Sequence, residues 1–304
     1  MRGWREAAAF AALTVIWGTT WAAIRVGLQG IPPLTGVSIR FLIAGTLLLA
    51  IALARGVPLG RTARERWLWL SNGLATFVVP YGVIYWAEQW VPSGLASILF
   101  ATFPLWIVAI GRWALPGERP GWRRLAGVVA GFLGVAVIFS EDFSRLGGEG
   151  VRVPAAILVL AAGVSASGSV ALRRWAGGIS PISLAAVPML GTGLVTGAAA
   201  LALERGRPLE LGAAPVLATV YLAVFGSALT FTIYFWLLAR RTAIASSLVS
   251  YTAPLVAVAL GTSVLGEPFT ARVGLGGLLV LSGVAGALGG RSVPARRDPP
   301  AAVR

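Results

Sequence analysis

ASILFATFPLWIVAIGRWALPGERPGWRRLAGVVAGFLGV, residues 96–135, and SSLVSYTAPLVAVALGTSVLGEPFTARVGLGGLLVLSGV, residues 246–284, are two versions of one pattern. Ser97 falls on Ser247, and Pro104-Leu105 falls on Pro254-Leu255. After a one-residue gap in the turn, Gly117-Glu118 matches Gly266-Glu267 and Arg123 matches Arg272. Gly127 then matches Gly276, and Gly134-Val135 matches Gly283-Val284. Weaker matches extend the duplication upstream: Arg25 aligns with Arg173 and Pro33 with Pro181. Internal self-similarity constrains a fold more than any local motif does.

Working outward from the repeat, apolar runs long enough to span a bilayer, about 20 residues each, fall near 6–27, 34–54, 67–89, 93–113, 122–140, 154–174, 182–203, 215–239, 243–264 and 270–290. Gly/Pro or arginine-bearing breaks separate them, as at Gly30-Ile31-Pro32-Pro33 and Gly266-Glu267-Pro268. Composition agrees. Of 304 residues 57% are apolar and 12% charged, against roughly 25% charged in an average soluble domain. The expected fold is an all-α membrane protein of ten transmembrane helices. Residues 1–140 form the first repeat, 141–153 an outer linker, 154–290 the second repeat and 291–304 a disordered tail. Five spans per half is an odd number, so the second copy enters the membrane from the opposite face. Inverted five-helix repeats are an architecture of secondary transporters, which bind substrate near the midplane between the halves.

All 25 basic residues are arginine. With the N-terminus inside, 18 of them fall at inner ends and loops and six at outer ones, so the positive-inside rule places both termini in the cytoplasm. Arg2 and Arg5 precede an apolar run, as in a signal peptide. The run is too long for one and nine more spans follow, so it reads as an uncleaved first helix. The net charge of +14 is scattered between apolar segments; without a basic stripe it does not point to nucleic acid. The chain has no Cys, His or Lys. That excludes disulfides and thiolate sites, removes the usual metal ligand and rules out a lysine-bearing phosphate loop, so neither metal nor cofactor is expected. The lack of lysine beside abundant Ala, Gly and Arg points to a GC-rich bacterial genome, and the location to a bacterial inner membrane.

The paired signature, a central Pro-Leu in helices 4 and 9, then Gly-Glu and a Gly-rich helix, resembles the EamA-type members of the drug/metabolite transporter superfamily. Trp17-Gly18-Thr19-Thr20-Trp21 with Arg40-Phe41 resembles the start of the same repeat. The resemblance covers about 6–290 and implies a ten-helix, basket-like bundle that exports or exchanges amino acids and other metabolites. The second half is the more diverged: Pro188 stands where the first half has Arg40, and helix 6 lacks the Trp-Gly opening.

Candidate site residues follow from the cost of polar groups in hydrocarbon. Arg40 is the one charge well inside a span; it could neutralise a substrate carboxylate or pair for structure alone with a neighbour such as Glu88. Trp17 and Trp21 share a face of helix 1, and Tyr81 and Tyr85 a face of helix 3. With Phe100, Phe103, Tyr234 and Tyr251 they suit a cavity for amphipathic solutes. Asn72 and Thr76 share a helix 3 face, and Ser246, Ser247 and Ser250 cluster in helix 9. Pro104 and Pro254 each free a carbonyl, at Phe100 and Ser250, and read as a paired hinge. Glu118 and Glu267 read as turn residues that stabilise a helix N-terminus, with a gate as the sharper alternative. No span interior contains Asp, Glu or His, so coupling through a buried carboxylate is left to Glu88 near an interface.

The expected partners are a small-molecule substrate and membrane lipid, with the chain a monomer or homodimer. The expected function is export of amino acids or similar small metabolites by alternating access. Import or exchange of a sugar, nucleotide-sugar or drug remains open. A membrane-embedded enzyme would need clustered carboxylates, histidine or a metal set, and a scaffold has no evident use for inverted halves.

Overall fold

The computed structural model describes residues 2–138, 140, 150–264 and 270–289. Glu267, positions 141–149 of the linker and the 291–304 tail lie outside them. Among the described residues the regular structure is helical and forms ten rods. The first five are α1 (Arg2–Gly27), α2 (Pro33–Ala54), α3 (Ala63–Ala87), α4 (Ser93–Ala114) and α5 (Trp122–Ile138). The next five are α6 (Arg152–Trp175), α7 (Pro181–Leu203), α8 (Ala213–Arg240), α9 (Ala243–Ser247 continued by Val249–Val264) and α10 (Ala271–Gly289). Eight of these are long and apolar enough to cross a membrane, and α9 carries a shorter apolar run over Ala243–Ala259.

Leucines on the outside and hydroxyls on the inside identify the solvent. Leu53, Leu201, Leu217 and Leu278 are each at least 67% exposed. Ser183, Thr192, Ser246 and Ser247 are buried to 1% or less. Water would reverse that order; hydrocarbon imposes it, because each hydroxyl must find an internal partner. Thr192 donates to the Pro188 carbonyl at 2.8 Å, for example.

The helices pack in pairs that keep their form when the two halves are exchanged. α2 runs along α7, and α5 along α10. α1 packs on α9, and its counterpart α6 packs on α4. The α2–α7 contact is close because both sides give up side chains at the crossing: a Cβ on Gly45 would come within 2.6 Å of the Leu190 nitrogen, and one on Gly193 within 2.8 Å of the Leu42 nitrogen. Small residues at helix crossings are the usual source of contact where lipid supplies no hydrophobic drive.

The halves also share a helix cap. Pro33 opens α2 with a ring that fits the first turn, which leaves the next N–H groups to be satisfied. Glu204, just past the end of α7, accepts from Leu34 N at 2.8 Å, Thr35 N at 2.9 Å and Thr35 Oγ1 at 2.8 Å. Glu204→Ala is expected to cost about 1–2 kcal/mol, read as a lowered Tm of the detergent-purified protein. Glu204→Gln, which keeps an acceptor oxygen, is expected to recover part of it.

Candidate functional site

Both α3 and α8 loosen into a π-helical turn near their middles, over Gly73–Val78 and Val224–Leu229. Such turns interrupt the regular ladder and often mark functional positions. α2 uses the one in α8. Arg40 donates from Nε to Ser227 Oγ at 2.7 Å and from Nη2 to the Gly226 carbonyl at 3.0 Å. Its guanidinium lies 4.6 Å from the Tyr81 ring centroid, and Nη1 reaches Tyr85 Oη at 3.4 Å. The side chain is 1% exposed. Without a counter-ion, a buried cation is tolerable where neutral dipoles and ring faces replace its water. Glu88 is not its partner: Arg40 forms no ion pair among the described residues, and the Glu88 carboxylate accepts from Ser93 Oγ at 3.0 Å while one of its oxygens has no partner. The Arg25 guanidinium binds the backbone carbonyl of Glu88.

In the other half, Pro188 stands against the π turn of α3, at Gly73. Proline at this position orphans the carbonyl four residues back, which is Leu184. Asn72 Nδ2 donates to that carbonyl at 2.8 Å. The expected cavity role of Asn72 is therefore replaced by repair of α7.

Arg40 is one of the residues that line a cavity of about 100 Å3. Of the residues expected from sequence, Trp17, Trp21, Arg40, Tyr81, Phe100, Phe103 and Tyr234 line it, as does Pro254. The rings form one surface. Trp17 meets Phe231 and Tyr234 at 5.6 and 5.4 Å, Trp21 meets Phe100 at 5.9 Å, and Phe100 stacks on Phe103 at 6.2 Å. Two polar atoms in the lining, Trp17 Nε1 and Thr76 Oγ1, are buried without a protein partner. Among the described residues no Asp or Glu is in the lining, and Arg40 carries its only formal charge. No cluster of metal-binding side chains exists among the described residues.

The remaining expected residues lie behind this wall. Tyr85 is a layer out, holding Arg40. Ser247 is spent on the Ile244 carbonyl at 2.8 Å. Tyr251 is fully buried, and a Cβ on Gly131 of α5 would lie 2.6 Å from its ring. Pro104 follows a break in α4 at Ala101-Thr102, whereas α9 breaks at Leu248, ahead of Pro254. Ser165 and Ser169 of α6 and Phe231 of α8 complete the lining. Sequence reasoning passed over them. Their signal was a serine stripe at four-residue spacing on an apolar helix, which reads equally as a packing face.

One end of the bundle is bridged by charge. Glu118, in the turn after α4, forms an ion pair with Arg173 near the end of α6 and accepts from Ala243 N, the first residue of α9, at 2.8 Å. It caps a helix of the opposite half, not the helix that follows it in sequence. The cavity extends the other way, to Ile24 and Ile84 near the far ends of α1 and α3.

A membrane-embedded helical bundle with an internal, aromatic-walled cavity has a place for a small solute, and the comparisons say what kind of protein it is. The EamA-like transporter family model matches the chain twice, over residues 5–140 and 153–289. An "Uncharacterized inner membrane transporter YedA" of Escherichia coli (strain K12) is 33% identical over 291 residues, covering 94% of this chain and 91% of that one. A "Probable terminal-alkyne amino-acid exporter" of Streptantibioticus cattleyicolor is 31% identical over 298 residues, covering 90% of each. A solved crystal structure superposes with a TM-score of 0.80 at 22% identity, covering 93% of this chain and 96% of that one; it speaks for the fold. The chain belongs to the EamA-like transporter family and is a multi-pass membrane transporter, not an enzyme.

Proposed function

We propose that the chain exports small amphipathic carboxylates of the amino-acid kind across a bacterial inner membrane. The observation that carries this reading is the cavity charge: Arg40 alone, uncompensated, beside indole and phenol rings. A carboxylate would neutralise Arg40, an apolar side chain would lie on the rings, and Trp17 Nε1 and Thr76 Oγ1 would take the remaining hydrogen bonds. The relative named as an amino-acid exporter supports the same class. The mechanism is alternating access between halves 1–140 and 154–290, inverted about the membrane plane and joined by 141–153, with Pro104 and Pro254 as hinges. Both termini are cytoplasmic and the working unit is a monomer or homodimer.

The test is counterflow in proteoliposomes of purified protein with labelled amino acids, sugars and nucleosides. Saturable exchange of amino acids is the expected result. Exchange confined to sugars or nucleosides would defeat the carboxylate reading.

On this reading the Glu118–Arg173 bridge closes the cytoplasmic end. Because the chain has no cysteine, a single Ser169→Cys variant reports access without background. Adding Glu118→Ala is expected to raise its labelling by a membrane-impermeant maleimide from the cytoplasmic side severalfold, since an ion pair plus a helix cap is worth about 1–2 kcal/mol. Unchanged labelling would remove the bridge from the gate.

A further inference from the structure

The start of α1 and the end of α8 meet at the arginine-rich end of the bundle, where Glu6 forms an ion pair with Arg241. At that pair, Arg5, Glu6, Trp236, Ala239 and Arg240 line a pocket of mixed polar and apolar surface. Neither Arg5 nor Arg240 forms an ion pair among the described residues, so the one nearby carboxylate is already spent and two guanidinium charges stay uncompensated. Arg240 is held in place: its guanidinium sits 4.1 Å from the Trp236 ring centroid and donates to the Trp236 carbonyl at 3.3 Å.

The pocket continues into an apolar groove that shares Arg5 and Trp236 with it. Its walls are Ala8, Ala9 and Ala12 of α1, Ile182 at the start of α7 and Ile233 of α8. From Arg5 to Ala12 the groove follows α1 for about 10 Å toward the middle of the membrane, at about 1.5 Å per residue. The three alanines recess the α1 surface, so the groove opens sideways, where lipid lies.

We propose that this is a binding site for one anionic phospholipid, with the phosphate between Arg5 and Arg240 and an acyl chain along the alanine face of α1. Guanidinium forks match phosphate oxygens in pairs, tryptophan rings favour the headgroup depth, and basic pockets between transmembrane helices select acidic headgroups. Soluble phosphate would use the two arginines but has no use for the groove; a phospholipid uses both.

The experiment uses the full-length protein in neutral detergent with native mass spectrometry as readout. Phosphatidylglycerol and phosphatidylcholine are titrated in separate arms, and inorganic phosphate is added as a competitor. Wild-type protein is expected to retain one phosphatidylglycerol in preference to phosphatidylcholine. Arg5→Gln/Arg240→Gln is expected to weaken that retention by about 30-fold, from roughly one Debye-screened charge contact per arginine. Ala8→Phe, at an exposed position that fills the groove and keeps both charges, is expected to weaken it as well. Arg112→Gln/Arg123→Gln, elsewhere among the arginines, is expected to leave it unchanged. Equal retention of the two lipids, full competition by inorganic phosphate, or an equal loss in the Arg112/Arg123 variant would each overturn the proposal.

Discussion

Arg40→Leu is expected to reduce exchange of the transported solute by about 100-fold while the variant still folds and reaches the membrane. The size follows from the contacts. A charge-assisted hydrogen bond contributes about 1.5–3 kcal/mol, and a loss of that size is roughly a 10- to 150-fold change in affinity. The fold tolerates the change because Arg40 rests on neutral dipoles, Ser227 Oγ and the Gly226 carbonyl, and not on a carboxylate that would be left as a buried unpaired charge. Arg40→Lys is expected to recover little. A lysine keeps the charge but has no planar fork, so it cannot hold the π turn of α8 and face the cavity at once. Ser227→Ala separates the two duties of Arg40. It removes the tether and spares the charge, so its expected loss is about fivefold, the value of one ordinary hydrogen bond. Counterflow of the Arg40→Leu variant at the wild-type rate would mean that Arg40 serves only to fix α8 and that substrate is recognised elsewhere.

Gly283→Leu is expected to be the most damaging single change to stability, costing about 3 kcal/mol or more. A Cβ at Gly283 would stand 2.4 Å from the Gly131 nitrogen and 2.7 Å from the Gly127 carbonyl. Both neighbours are backbone, so no rotamer change can make room and α10 must move off α5. Facing positions make the same point from the other helix: a Cβ at Gly127 would lie 2.5 Å from the Ala287 nitrogen. The controls lie on the same helix. Gly286→Ala meets only ordinary contact, at 3.8 Å, and Gly289→Ala meets nothing within 4 Å. Thermal unfolding of the purified variants, followed by size-exclusion profile, checks this. A Gly283→Leu melting point equal to that of Gly286→Ala would show that the α5–α10 contact is looser than the glycines imply.

Ten helices, their approximate ends and the duplicated plan were legible in the chain itself. The physical reason is that a bilayer forces each span to satisfy its backbone internally, so length and hydropathy alone delimit the helices. The aromatic and cationic lining was legible for a related reason: Arg40, Trp17 and Tyr81 are costly or bulky enough in hydrocarbon to stand out singly. What only the tertiary structure decided is where each neutral polar group spends its hydrogen bonds. Asn72 looked like cavity lining and instead caps the carbonyl that Pro188 frees on another helix. Ser165 and Ser169 did not stand out in the sequence, yet they line the cavity. Glu118 looked like a local turn residue and instead reaches from the first half to α6 and α9 of the second. A hydroxyl, amide or carboxylate has many possible partners of nearly equal energy, and which one it meets depends on how helices far apart in sequence are rotated against each other. That rotation is set by close backbone contacts such as Gly45 on Leu190 and Gly283 on Gly131, which the order of residues along one chain does not pair.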